Sequence, residues 1–123
     1  MSVRNNNDLP GLIVGVGATA TQNGFDQINS YGRGVKVFVN TTAIGTGSIT
    51  VTIQGKDPSG SYFTILASAP IITNVFTVLT VYPGLVAAVM LTVNDVLPRQ
   101  WRIIVTANNA NPASYTVSAS VIV

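Results

Sequence analysis

The side chains able to do acid–base chemistry are few enough to take one by one. The acids are Asp8, Asp26, Asp57 and Asp95; the bases are Arg4, Arg33, Lys36, Lys56, Arg99 and Arg102. There is no histidine, cysteine or glutamate. Nucleophilic hydrolysis needs a base beside the nucleophile. Only Lys36 and Lys56 could stand in for histidine, and both sit in strand-and-turn contexts that read as solvent-facing. Glycoside cleavage needs two facing carboxylates, whereas each aspartate here falls in a turn or in the N-terminal segment. Zinc, copper and iron lack their usual nitrogen and sulfur ligands. Calcium could use Asp57, Asp95 and carbonyl oxygens, but there is no dense Asp-x-Asp loop. Gly11-Leu-Ile-Val-Gly-Val-Gly17 has glycines but neither the lysine nor the strand–loop–helix setting of a phosphate cradle. The expectation is therefore no enzyme, no cofactor and no metal, and attention moves to surfaces.

One stretch does combine an aromatic with bases. Asn94-Asp-Val-Leu-Pro-Arg-Gln-Trp-Arg-Ile-Ile-Val-Thr106 holds the single tryptophan between Arg99 and Arg102. It reads either as a ligand platform or as a strand that buries its tryptophan. Successive strand residues point to opposite faces. Trp101, Ile103 and Val105 therefore share one face, and Arg102, Ile104 and Thr106 share the other. A tryptophan in phase with two aliphatics belongs between sheets, where it buries roughly 200 Å². At about 25 cal/mol per Å² that is on the order of several kcal/mol. Arg102 then faces outward and is expected to meet Asp95, Asp57 or a partner protein, as is Arg99 at the strand entrance. Phe25, Tyr31, Phe38 and Tyr62 lack an interleaved basic groove, so they read as packing rather than base-stacking residues.

The strand that carries Trp101 needs partners, and the chain supplies them. Val35, Val37 and Val39 alternate with polar or outward residues; so do Ile49, Val51 and Ile53, and Tyr115, Val117, Ala119, Val121 and Val123. Turn signals separate such runs: Tyr31-Gly-Arg-Gly34, Gly45-Thr-Gly47, Asp57-Pro-Ser-Gly60 and Asn108-Asn-Ala-Asn-Pro112. Strands are expected near 12–20, 33–41, 47–56, 61–69, 73–82, 99–107 and 113–123. The only helical candidate is one turn at Val86 to Leu91. About seven short strands with regular turns predict a single all-β domain over residues 12–123. It is an antiparallel β-sandwich, immunoglobulin-like or a small jelly roll, with a β-barrel as the alternative fold. Residues 1–11 have no period that could bury a face and read as an extended N-terminal arm.

Composition narrows the role. Charged residues make up 8% of the 123-residue chain, against about 25% in ordinary globular domains. Its coat must be Ser, Thr, Asn and Gln, which repels its own copies weakly and suits close packing among neighbours. A net charge of +2 from scattered bases lacks the basic stripe that nucleic acid requires. The Leu12–Ala20 run lacks the basic flank of a signal peptide, and Pro83–Thr92 is too short to span a bilayer, so no membrane partner is expected.

Several segments carry a likeness. Gly24–Asn40 (GFDQINSYGRGVKVFVN), Val51–Leu66 (VTIQGKDPSGSYFTIL), Val81–Leu85 (VYPGL), Asp95–Arg102 (DVLPRQWR) and Tyr115–Ala119 (YTVSA) together resemble small tailed-phage virion proteins of the capsid decoration, or cement, type. The likeness spans roughly residues 24–123 and is one of texture and short motifs, with no active-site residues to carry over. It implies a protein made in the host cytoplasm that sits on the outer surface of the head. There it would clamp neighbouring major capsid protein subunits, as a homo-oligomer or symmetric array. Arm residues Arg4, Asn5, Asn6, Asn7 and Leu9, Arg102, and the apolar Val86–Leu91 segment are the expected contacts. Deleting residues 2–10 is expected to weaken attachment and spare the sandwich. The alternatives are a tail or fibre module that recognises host surface glycans, and a bacterial extracellular adhesive domain.

Overall fold

A computed structural model describes residues 8–123. Its strands are β1 (Asp8–Ala18), β2 (Gln22–Asn23), β3 (Gln27–Ile28), β4 (Gly34–Ala43), β5 (Ile49–Lys56), β6 (Tyr62–Ala67), β7 (Phe76–Val81), β8 (Thr92–Val93), β9 (Gln100–Ala107) and β10 (Ala113–Ile122). They form two facing sheets. One runs β1-β10-β4-β7-β8, the other β2-β9-β5-β6, with β3 also on β9.

The antiparallel pairings nest. β1 pairs with β10, β2 and β3 with β9, β4 with β7, and β5 with β6. If β2 and β3 are taken as one interrupted strand, first pairs with last, second with second-last, and so inward. That is a single antiparallel ribbon rolled around a core, a small jelly roll. An immunoglobulin sandwich keeps its last two strands side by side in one sheet. Here β9 and β10 lie in opposite sheets, so the jelly roll is the arrangement formed. One pairing is not antiparallel: β8 runs parallel to β7 for two residues.

The alternation seen in the sequence is the alternation that is buried. Val35, Val37 and Val39 of β4 meet Ile49, Val51 and Ile53 of β5, Trp101, Ile103 and Val105 of β9, and Tyr115, Val117 and Ala119 of β10 in one core. Trp101 is 1% exposed, so the tryptophan is structural. Its indole Nε1 has no hydrogen-bond partner among the described residues. Val86–Leu91 forms turns rather than a helical turn.

β1 starts at Asp8, so the last four residues of the expected arm belong to the sandwich. Leu9 pairs with Ala119 and packs half-buried against the core, so part of its side chain serves the sandwich. Arg4, Asn5, Asn6 and Asn7 lie outside the described residues. Deleting residues 2–10 would also remove the Asp8–Ser120 and Leu9–Ala119 pairings. The longer strand was hidden by its irregularity. Leu9 and Ile13 are four apart on β1, whereas their partners Ala119 and Val117 are two apart on β10. A second register shift falls between Gly15 and Ala18.

Glycine makes both shifts possible. Gly11 and Gly17 have φ near +60°, the left-handed region that side-chain-bearing residues disfavour. Each frees an N–H that a β10 serine accepts: Gly11 N–H donates to Ser118 Oγ (3.1 Å) and Gly17 N–H to Ser114 Oγ (2.9 Å). Gly15 between them leaves room for the Tyr115 ring, since a Cβ there would lie 2.5 Å from Tyr115 Cζ. The three glycines of the 11–17 stretch thus serve strand geometry.

Two stability outcomes follow. Gly15→Ala should destabilise the domain by about 1–3 kcal/mol through overpacking on Tyr115, measured by urea denaturation. Trp101→Ala should cost about 3–5 kcal/mol. Trp101→Phe should cost less, because it also removes an unpartnered buried donor.

Candidate functional site

Two surfaces stand out. The first is the outer face of the β9-β5-β6 sheet. Gln54 and Lys56 of β5 stand opposite Arg102 and Gln100 of β9, and Lys56 stands opposite Tyr62 of β6. The Asp57–Ser61 turn sets the last pair: Gly60 N–H donates to Asp57 O (3.0 Å), and the Asp57 carboxylate accepts from Ser59 Oγ (2.7 Å) and Ser61 N–H (2.9 Å). These bonds, Ser59 first, hold the Asp57 carboxyl below its ordinary value. Asp57 is thereby a turn residue, not a partner for Arg102.

Asp26, just before β3, closes the cluster. Its Oδ1 accepts from Tyr62 OH (2.6 Å) and its Oδ2 from Lys56 Nζ (2.9 Å). The Arg102 guanidinium lies over the Tyr62 ring, 3.6 Å from the centroid, and its Nε donates to Gln54 Oε1 (3.0 Å). Arg102 therefore pairs with neither Asp95 nor Asp57. It stacks, a use that suits a planar cation. The Tyr62 hydrogen bond and then the Lys56 one hold the Asp26 carboxyl below its usual range, and the Asp26 bond pushes Lys56 up. A tight cluster of one ion pair and a stacked guanidinium ties the β2–β3 edge to the β5–β6 hairpin. No group of three potential metal-ligating side chains lies together among the described residues.

The second surface is apolar. Loops 68–75 and 86–91 flank a groove of about 350 Å³ at the edge where β6 and β7 leave opposite sheets. Ile72, Val75, Val89, Met90 and Leu91 line it, and all five are exposed. Val86 in the same loop is 92% exposed. The loop is fixed from within: Ala88 N–H donates to Thr92 Oγ1 (2.7 Å), Thr92 Oγ1 to Val86 O (3.0 Å), and Gly84 N–H to Asn94 Oδ1 (2.7 Å). Met90 is the one non-glycine residue with positive φ (61°) among those described. Such strain persists only where the surroundings impose it.

A smaller apolar group sits at the end of the sandwich where β1 begins. Leu97 N–H donates to Arg33 O (2.9 Å) and Arg33 N–H to Ile122 O (2.7 Å), so segments 29–33, 95–99 and the C-terminus converge there. Tyr31 (85% exposed), Val96 and Val123 face outward from these segments.

No protein-family model and no curated protein matches this sequence. The surfaces must therefore be read on their own geometry.

Val86–Leu91, expected as a contact from its apolar run, forms one wall of the groove, and Ser68–Val75, which local pattern does not single out, forms the other. A signal was present: between Asp57 and Asp95, residues 58–94 contain no charged side chain. Asp26 was missed because it lies thirty residues from Lys56 and thirty-six from Tyr62, and only the roll brings them together.

The cluster makes a pH prediction. The Asp26 carboxyl is more acidic folded than unfolded, so its stabilisation is present above the unfolded carboxylate's pKa and is lost as pH falls through the folded value. Lys56 is the mirror case, its contribution lost as pH rises through the folded amine's value. In Tyr62→Phe the Asp26 carboxyl should titrate at higher pH, followed by carbon-13 NMR of the side-chain carboxyl. An unmoved titration would contradict the leading role of the tyrosine hydroxyl in holding that carboxyl ionised.

Proposed function

We propose that this chain is a structural protein of a tailed-phage particle, a decoration protein that stabilises the head by binding across neighbouring major capsid protein subunits on its outer surface. The observation that carries this reading is the surface itself. A chain with 8% charged residues exposes sixteen large hydrophobic side chains among its described residues, gathered in part on two faces. Monomeric proteins seldom leave such groups contiguous, and where they do the patch usually marks an interface. The resemblance in the sequence points the same way.

The end carrying Tyr31, Val96 and Val123 is the better candidate for the capsid. Arg33, Asp95 and Arg99 lie in the same converging segments, giving aromatic and aliphatic anchors with a polar, charged rim. Asp8 pairs with Ser120 near this end, and Arg4, Asn5, Asn6 and Asn7, which precede it in sequence, are kept as proposed contacts. Binding through rigid side chains costs little ordering entropy. A few anchors then carry most of the affinity.

The test is reconstitution. Heads lacking the chain, mixed with purified protein, should take it up saturably and rupture at higher temperature. Tyr31→Ala should weaken uptake by about tenfold or more without changing the melting temperature of the free protein, because the ring is 85% exposed. Heads that take up none of the protein, with host polysaccharide bound instead, would replace this reading with the tail or fibre one.

A further inference from the structure

The groove between loops 68–75 and 86–91 has a property the capsid reading does not use. A hollow and an exposed apolar loop that forms one of its walls lie side by side on one edge. The groove supplies the hollow. The Val86 and Val89 side chains, 92% and 86% exposed, supply the projection. We propose that this edge is a homotypic interface, in which the Val86–Leu91 loop of a second copy seats in the groove while its own groove receives the first copy's loop.

Four observations favour a second copy over another occupant. A two-fold contact requires the same patch on both partners to be self-complementary, and adjacent hollow and projection meet that requirement. Both walls come from the charge-free run 58–94, so two copies meet without like-charge repulsion, while a charged partner would gain nothing. The end of β7 beside the groove is already paired. Thr80 N–H and Tyr82 N–H already donate to Leu91 O and Val93 O, so an added strand finds no free donors there and the exposed apolar side chains are left to make the contact. The area is also adequate. Ile72, Val75, Val86, Val89, Met90 and Leu91 are 43–92% exposed and together present on the order of 600 Å² of apolar surface, the upper end for a monomer. With the polar rim of the two loops this approaches the ~800 Å² per partner of a standard interface. The loop's internal hydrogen bonds and the imposed Met90 conformation mean that it is ordered before contact, which lowers the cost of association.

The proposal stands apart from the capsid reading, since it concerns free protein. Sedimentation velocity over a wide concentration range should show a monomer–dimer equilibrium in the wild type. Val89→Asp and Ile72→Asp, one in each wall and both exposed, should each weaken dimerisation by about tenfold or more, with circular dichroism melts confirming the fold. The chain has no cysteine, so a mixture of Val89→Cys and Ile72→Cys proteins gives an independent measurement: the disulfide should link unlike chains. A wild type monomeric at the highest concentration would overturn the proposal. So would dimers that persist in both aspartate variants, or unlike chains that fail to link. Capsid uptake lost in Val89→Asp while the wild type stays monomeric would likewise overturn it and assign the groove to the head.

Discussion

The roll depends on the first strand lying against the last. Until β1 meets β10, the outer strand of one sheet has no partner and the ribbon is open at its free end. That contact is also the most distant in sequence, joining Asp8 to Ser120 and Ala18 to Ala113. Closing so long a loop costs chain entropy before any contact repays it. The means of repayment are visible in the residues. Ile13 and Tyr115 enter the core, Gly15 lets the tyrosine ring lie under the strand, and serines 114, 118 and 120 take up polar groups that the irregular β1 would leave unpaired. The same irregularity protects an exposed edge, because bulges and a proline at Pro10 make β1 a poor template for an added strand.

Inside the closed roll, each remaining strand needs only to alternate. That is why so much of the fold was legible. The alternating valines of β4, the isoleucines of β5 and the Trp101–Ile103–Val105 row of β9 announce both their conformation and their buried face. The turn at Asp57–Gly60 announces a hairpin through its proline and glycine. What could not be read is what alternation does not encode. The two glycine bulges lengthen β1 through a stretch that looks like an arm. β2, β3 and β8 are two residues each, too short to carry a period. The choice of jelly roll over immunoglobulin order lives in pairings between distant segments, to which local pattern is blind.

The surface was legible to the degree that it is made of neighbours in sequence. Val86–Leu91 is one loop and stood out as apolar. The groove joins that loop to Ser68–Val75, and the Asp26 cluster joins three separated segments. Arg102 illustrates the limit: its outward direction follows from strand phase, whereas its partners, Tyr62 and Gln54, follow from sheet register. The result is a molecule with a cluster of mutually engaged charged groups on one face, while its uncharged edge and its N-terminal end carry exposed apolar side chains. Such a division fits a protein whose work is contact.

The central claim is that this work is done in many copies on a particle. Quantitative mass spectrometry of purified particles from the source, counting this chain against the major capsid protein, tests it most directly. The account predicts one copy per capsid subunit or a simple fraction of that. A handful of copies per particle, or none, would contradict it.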